Sequence, residues 1–171
     1  MLSKRMEEAL NKQVTAEFYS SYLYLSMSAD FAAKNLEGFA SWMQMQAQEE
    51  WDHGMKIYNY ILEKGGTIKL EAIKAPPTSW KNAVDAFDTT LKHEQHVTGL
   101  FNNLASLAIE EKDHATGIFL QWFVSEQVEE ESTASGILER LKMVGDSPQG
   151  LFMMDSNLAA RQAFTASAAA E

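Results

Sequence analysis

Glu50 and His53 stand three residues apart in a stretch of helical period, so both side chains leave one helix face a turn apart. A carboxylate and an imidazole in that relation can share a metal ion. Three more acids, Glu17, Glu94 and Glu130, interrupt the apolar stripes of other helical stretches, and Gln127 lies one turn before the last of them. Glu17 and Glu50 are equidistant from a turn centred between residues 33 and 34. Glu94 and Gln127 are equidistant from one between 110 and 111. In an antiparallel hairpin such residues share a height, so all six side chains fall in one layer. A shift of 77 residues carries Glu17 onto Glu94, Glu50 onto Gln127 and His53 onto Glu130. Two hairpins therefore offer related but unequal half-sites.

Four carboxylates ionised and unpaired in an apolar core would each cost several kcal/mol. No Lys or Arg lies on the stripes to offset them. Two divalent ions would balance the four charges. The competing reading is a hydrogen-bonded network of acids with raised pKa values and no metal. A donor set of oxygens with one imidazole suits iron or manganese better than structural zinc, which favours Cys and His. One metal position receives the histidine and the other is all oxygen, which implies unequal affinities.

The elements that must position this layer follow from periodicity and breakers. Mostly apolar stripes recur at steps of three and four, never in strand alternation: Met6, Leu10, Val14, Glu17, Ser21, Tyr24, Met27 and Phe31 on the first, Phe39, Met43, Gln46, Glu50, His53, Ile57 and Tyr60 on the second, with equivalent runs on two more. Lys34–Gly38 and Glu111–Asp113 read as tight turns, the second with Asp113 as an N-cap. Gly65 to Ser79 is the one clear breaker region, with Ser79 expected to cap a helix opening at Trp80. That connection could span ~50 Å at ~3.3 Å per residue. A helix of about 29 residues is ~43 Å long. The expected fold is therefore all-α: a four-helix bundle over about residues 3–144, with one long crossover between the second and third helices. Ser147-Pro148 opens a short fifth helix expected to run to about Phe164, and residues 165–171 form an Ala/Ser-rich end expected to fray. The whole reads as one domain.

Composition narrows the classes. The chain has 171 residues, 24 acidic against 14 basic side chains, and a formal charge of −10. That balance argues against a nucleic-acid partner. Cysteine is absent, which removes disulfide scaffolds, iron–sulfur clusters and thiol catalysis. No targeting segment is visible and no stretch approaches the ~18 apolar residues of a spanning helix. The expectation is a cytoplasmic protein with no membrane partner.

The residues around the layer carry a specific resemblance. Glu17-Phe18-Tyr19-Ser20-Ser21-Tyr22-Leu23-Tyr24-Leu25, Gln48-Glu49-Glu50-Trp51-Asp52-His53, Lys92-His93-Glu94, and the run from Phe119 to Glu131 make the chain resemble a non-haem prokaryotic ferritin over nearly its whole length. The ferritin-like bundle is itself a standard example of carboxylate metal sites between helices. The resemblance implies that Glu17, Glu50 and His53 hold one iron, with Glu50 bridging. Glu94 and Glu130 complete a second with Glu50, and Gln127 sits beside it. It implies a third iron held by Glu49, Glu126 and Glu129 with Glu130 shared, and Glu126, Glu129 and Glu130 do share a helix face. It suggests an electron-donor role for Tyr24, against the alternative of a core aromatic with a buried hydroxyl.

The implied function is iron storage. Fe(II) would be oxidised by O2 or H2O2 at the paired site and deposited as Fe(III) mineral in a homo-oligomeric cage, usually of 24 subunits. The fifth helix would dock at a symmetry axis, or else cap the bundle end. Trp51 stands where a haem-ligating Met would follow the bridging Glu in a bacterioferritin, so no haem is expected. A stand-alone di-iron redox enzyme with an organic substrate, and a non-catalytic helical interaction module, are the competing functions. His93, His96 and His114 read as surface residues, Glu131 as part of a solvated acidic run, Trp122 as packing, and the methionines as core filler.

Overall fold

The computed structural model describes residues 2–160. Among these, five helices and no strands are found: α1 Lys4–Ala33, α2 Glu37–Glu63, α3 Ala83–Glu110, α4 His114–Val144 and α5 Pro148–Ala159. The expected end of the fifth helix at Phe164 and the tail 165–171 lie outside the described residues. Among the described residues no helix is long and apolar enough to cross a membrane.

Local chemistry sets most helix starts. Ser3 accepts from Met6 N at 3.0 Å, Asp113 from Thr116 N at 3.1 Å and Ser147 from Gly150 N at 3.2 Å. The third helix departs from expectation. It opens at Ala83, capped by Asn82, which accepts from Asp85 N at 2.9 Å. Trp80 is instead a buried anchor of the loop. Its N–H reaches Asp30 Oδ2 at 3.2 Å and its carbonyl accepts from Lys34 Nζ at 2.6 Å, so its backbone is committed before the helix begins.

The start of α2 has no side-chain cap of its own. Asp155, from α5, accepts from Gly38 N at 2.8 Å and Phe39 N at 3.0 Å. The fifth helix thus satisfies two of the orphan donors that open the second. Its Met154 and Leu158 are buried in the same end of the core. Close approach demands glycine there, because a Cβ on Gly38 would lie 1.8 Å from the Asp155 carbonyl oxygen.

The connection from α2 to α3 runs along α1. At one end Asn11 Nδ2 donates to Thr67 O at 2.9 Å, and Lys69 N donates to Asn11 Oδ1 at 2.7 Å. At the other, Ser26 Oγ donates to Pro77 O at 2.5 Å. The segment traverses most of α1, so α2 and α3 are parallel and each hairpin is antiparallel. Within this frame α1 packs on α2 and α3 packs on α4, whereas no Cα of α2 lies within 8 Å of a Cα of α4. Side chains alone meet across that gap.

The core is divided. One apolar cluster gathers Phe31, Phe39, Trp42, Met43, Phe87, Ile137 and Leu141 toward the α5 end. The other gathers Met6, Leu10, Ile57, Ile61, Phe101, Leu120 and Phe123 at the opposite end. Buried polar residues lie between them in sequence on every long helix: Glu17, Gln46, Glu50, His53, Glu94 and Gln127.

Candidate metal centre

Glu17, Glu50 and His53 each present a ligand atom such that all three atoms lie within 4.8 Å of one another, and all three residues are buried. His53 Nδ1 stands 3.6 Å from Glu17 Oε2 and 3.7 Å from Glu50 Oε2. Those separations exceed a hydrogen bond. Glu17 Oε2 and His53 Nδ1 are the buried side-chain atoms, among the described residues, left with no hydrogen-bond partner. Buried polar atoms are nearly always satisfied. Two orphans facing each other beside a second carboxylate, Glu50, form a cradle that a cation would complete.

The remaining acids of the layer crowd the same space. Tyr24 donates its hydroxyl to Glu94 Oε1. Burial, then the charges of Glu94 and Glu50, push the phenol well above its ordinary range, so it keeps its proton. Burial and the neighbouring Glu130 raise the Glu94 carboxyl to about 7, against the opposing hydrogen bonds from Tyr24 and Gln127. Burial and Glu94 likewise raise Glu50, with His53 opposing. At His53 burial disfavours the charge, but the flanking Glu17 and Glu50 outweigh it and hold the imidazole well above its usual range. Protons here stand in for positive charge. Carboxyls buried and crowded enough to favour their protonated forms are groups that a bound cation would instead hold ionised.

Three buried or half-buried contacts frame the acids with amides. Gln13 Nε2 donates to Glu17 Oε1 at 2.6 Å, Gln127 Nε2 to Glu94 Oε2 at 3.2 Å, and Gln46 Nε2 to Glu130 Oε2 at 2.8 Å. Gln13 is 3% exposed and sits one turn before Glu17 on the same helix face. Gln46 lies on the second inward stripe of the sequence, whereas Gln13 lies beside the first. The signal available for Gln13 was its i, i+4 spacing to a core glutamate.

The ferritin-like domain family matches residues 7–144. The chain belongs to the ferritin family. A bacterial non-heme ferritin from Bacteroides fragilis (strain 638R) is 44% identical over 161 residues, covering 94% of this chain and 100% of the relative. Another, from Staphylococcus aureus (strain USA300), is 40% identical over 94% of this chain and 97% of its own length. Among solved structures, an open pore ferritin from the hyperthermophilic archaeon Archaeoglobus fulgidus superposes with a TM-score of 0.94 at 45% identity, over 95% of this chain and 100% of that one. A closed form of the Archaeoglobus fulgidus ferritin, engineered by site-directed mutagenesis, gives 0.93 at 45% identity, over 95% of this chain and 99% of that one.

Within this ferritin fold, the residues expected at a third position are spread outward. Glu49 and Glu126 are half-buried and Glu129 is exposed. Among the described residues no second trio of His, Asp and Glu comes as close together as Glu17, Glu50 and His53. Lys56 occupies this neighbourhood, with Nζ 3.1 Å from the centre of the Trp122 ring, and burial lowers its pKa against the opposing charge of Glu126. Trp122 in turn meets His53 edge-on, with ring centroids 5.3 Å apart. Trp51 is nearly half exposed and stacks on Phe18 at 4.6 Å.

Two surface assignments need correction. His93 is packed rather than exposed. Its Nε2 lies 2.8 Å from Ser20 Oγ and its ring faces Tyr19 and Tyr24, so burial lowers its pKa to about 4. Glu131 is not merely solvated, because Thr98 Oγ1 donates to it at 2.6 Å across the α3–α4 hairpin. His96 and His114 are exposed as expected.

Proposed function

We propose that this chain is an iron-storage ferritin subunit that oxidises Fe(II) at a paired site inside its own bundle. The observation that carries the reading is the facing pair of unpartnered buried atoms, Glu17 Oε2 and His53 Nδ1, with Glu50 beside them. Iron is the substrate. Glu17, Glu50 and His53 bind one Fe(II). Glu94, Glu130 and the bridging Glu50 bind a second, with Gln127 alongside, and Glu49, Glu126 and Glu129 with Glu130 take a third. Each Fe(II) gives up one electron to O2 or H2O2. Two Fe(II) supply the two electrons that, with two protons, convert O2 to peroxide. Tyr24, which donates a hydrogen bond to Glu94, is the candidate electron donor beside this site. The Fe(III) leaves for the interior of a homo-oligomeric shell of 24 copies, where it mineralises. No haem takes part and the protein works in the cytoplasm.

The protein's own contribution is a set of preorganised anions in a water-poor layer. Ferric iron carries one more positive charge than ferrous iron, so a cluster of carboxylates stabilises the product more than the reactant. Support for storage comes from kinship with bacterial non-heme ferritins across nearly their full length. The test is aerobic Fe(II) addition to purified protein, followed by sedimentation and iron counting. Hundreds of irons per assembly, in a particle far heavier than 19.2 kDa, are expected. Saturation at two or three irons per chain refutes storage. Normal Fe(II) oxidation by Glu50→Ala or His53→Ala refutes the site assignment.

A further inference from the structure

Gln46 is 1% exposed and reaches from α2 to Glu130 on α4, across the gap that no backbone contact closes. We propose that this Gln46–Glu130 hydrogen bond is a clasp that holds Glu130 back from the second metal position, and that Gln46 thereby sets the difference in affinity between the two positions. The inference rests on the metal-site reading above.

The contrast with Glu17 is what points to a clasp. Gln13 takes only Oε1 of Glu17, leaving Oε2 directed at His53 and Glu50 with no competing partner. The first position is therefore assembled in advance. At the second, Glu94 is already engaged by Tyr24 and Gln127, and Glu130 by Gln46. An ion entering there has to win Glu130 Oε2 from an amide on the opposite helix, or share it. No Cα of α2 lies within 8 Å of a Cα of α4, so the two side chains alone span the distance between the helices. A hydrogen bond to a charged carboxylate competes with metal at roughly tenfold in an equilibrium constant. That is enough to order the filling of two adjacent positions without altering either ligand set. Gln46 is thus a positioning residue acting through Glu130, not a ligand.

The test is an anaerobic Co2+ titration of the assembled protein, followed by calorimetry and by the visible absorption of bound Co2+. The wild type is expected to bind in two resolved steps. Gln46→Met keeps the length and removes the amide, and its second step should tighten by about tenfold with the first unmoved. Gln46→Asn keeps an amide that is one methylene too short, and should behave like Gln46→Met. A second step that is unchanged or weaker in both variants refutes the clasp while leaving the metal site standing. A shift in melting temperature with both steps moved equally also refutes it, since that is what a purely structural glutamine would do. A wild type whose layer takes up no Co2+ refutes the metal-site reading and the clasp together.

Discussion

Stripped of metal, this protein should lose stability as the pH rises, and Glu94 should account for a measurable part of the loss. Its carboxyl is raised from 4.5 to about 7, first by burial and then by Glu130. The sign follows from proton binding. The folded chain holds the Glu94 proton more tightly than the unfolded chain, so the stabilisation is complete below pH 4.5 and is lost as the pH climbs through 7. The full change corresponds to about 3 kcal/mol, and the part falling between pH 5 and pH 8 to about 2 to 3 kcal/mol. For a chain of this size each kcal/mol moves the melting temperature by roughly 2–4 °C, so Glu94 alone contributes roughly 5–10 °C. Glu94→Gln removes the titration and keeps an oxygen for the Tyr24 hydroxyl.

The assay compares thermal or guanidinium unfolding of chelator-treated wild type and Glu94→Gln at pH 5 and pH 8. The variant should retain a pH dependence, because Glu50 is raised as well, but a smaller one by the amount above. Saturating divalent metal should reverse the trend, since an ion binds the ionised carboxylates and is favoured at high pH. Parallel losses in wild type and variant would show that Glu94 ionises freely in the fold and would refute the crowded-acid picture of the layer.

Gly38→Ala puts a Cβ 1.8 Å from the Asp155 carbonyl oxygen. It should detach α5 at a cost on the order of 3 kcal/mol, visible as new proteolytic cleavage near residue 147. Asp155→Ala removes only the two-donor cap on α2 and should cost about 1–2 kcal/mol in denaturant unfolding. Tyr24→Phe removes the hydroxyl that opposes the rise at Glu94, so the acid loss of Co2+ from the layer should move to higher pH. His53→Ala leaves Glu17 and Glu50 without the imidazole and should abolish the tighter of the two Co2+ steps.

The layer of acids was legible because it depends on two local rules. Helical period places Glu17, Glu50, Glu94 and Gln127 on inward faces, and equal distance from a turn places them at one height. Both rules operate within a hairpin, and all four residues are buried in the structure. The length of the crossover carried the parallel arrangement of α2 and α3 in the same way, as a question of reach.

What tertiary structure alone decided concerns partners that lie far apart in the chain. Asp155 caps a helix that begins 118 residues earlier, a relation no cap motif can signal because the accepting side chain is absent from the local sequence. Trp80 looks like a first helical residue, yet its backbone is spent on Asp30 and Lys34 before α3 begins. His93 sits off the apolar stripe and is still half-buried, because Ser20, Tyr19 and Tyr24 of α1 pack against it. Gln46 was readable as an inward residue, but its hold on Glu130 depends on how wide the α2–α4 gap is. Periodicity determines which way a side chain faces. Which atom it meets depends on helix separation and rotation, and those are set by the packing of the two apolar clusters above and below the layer.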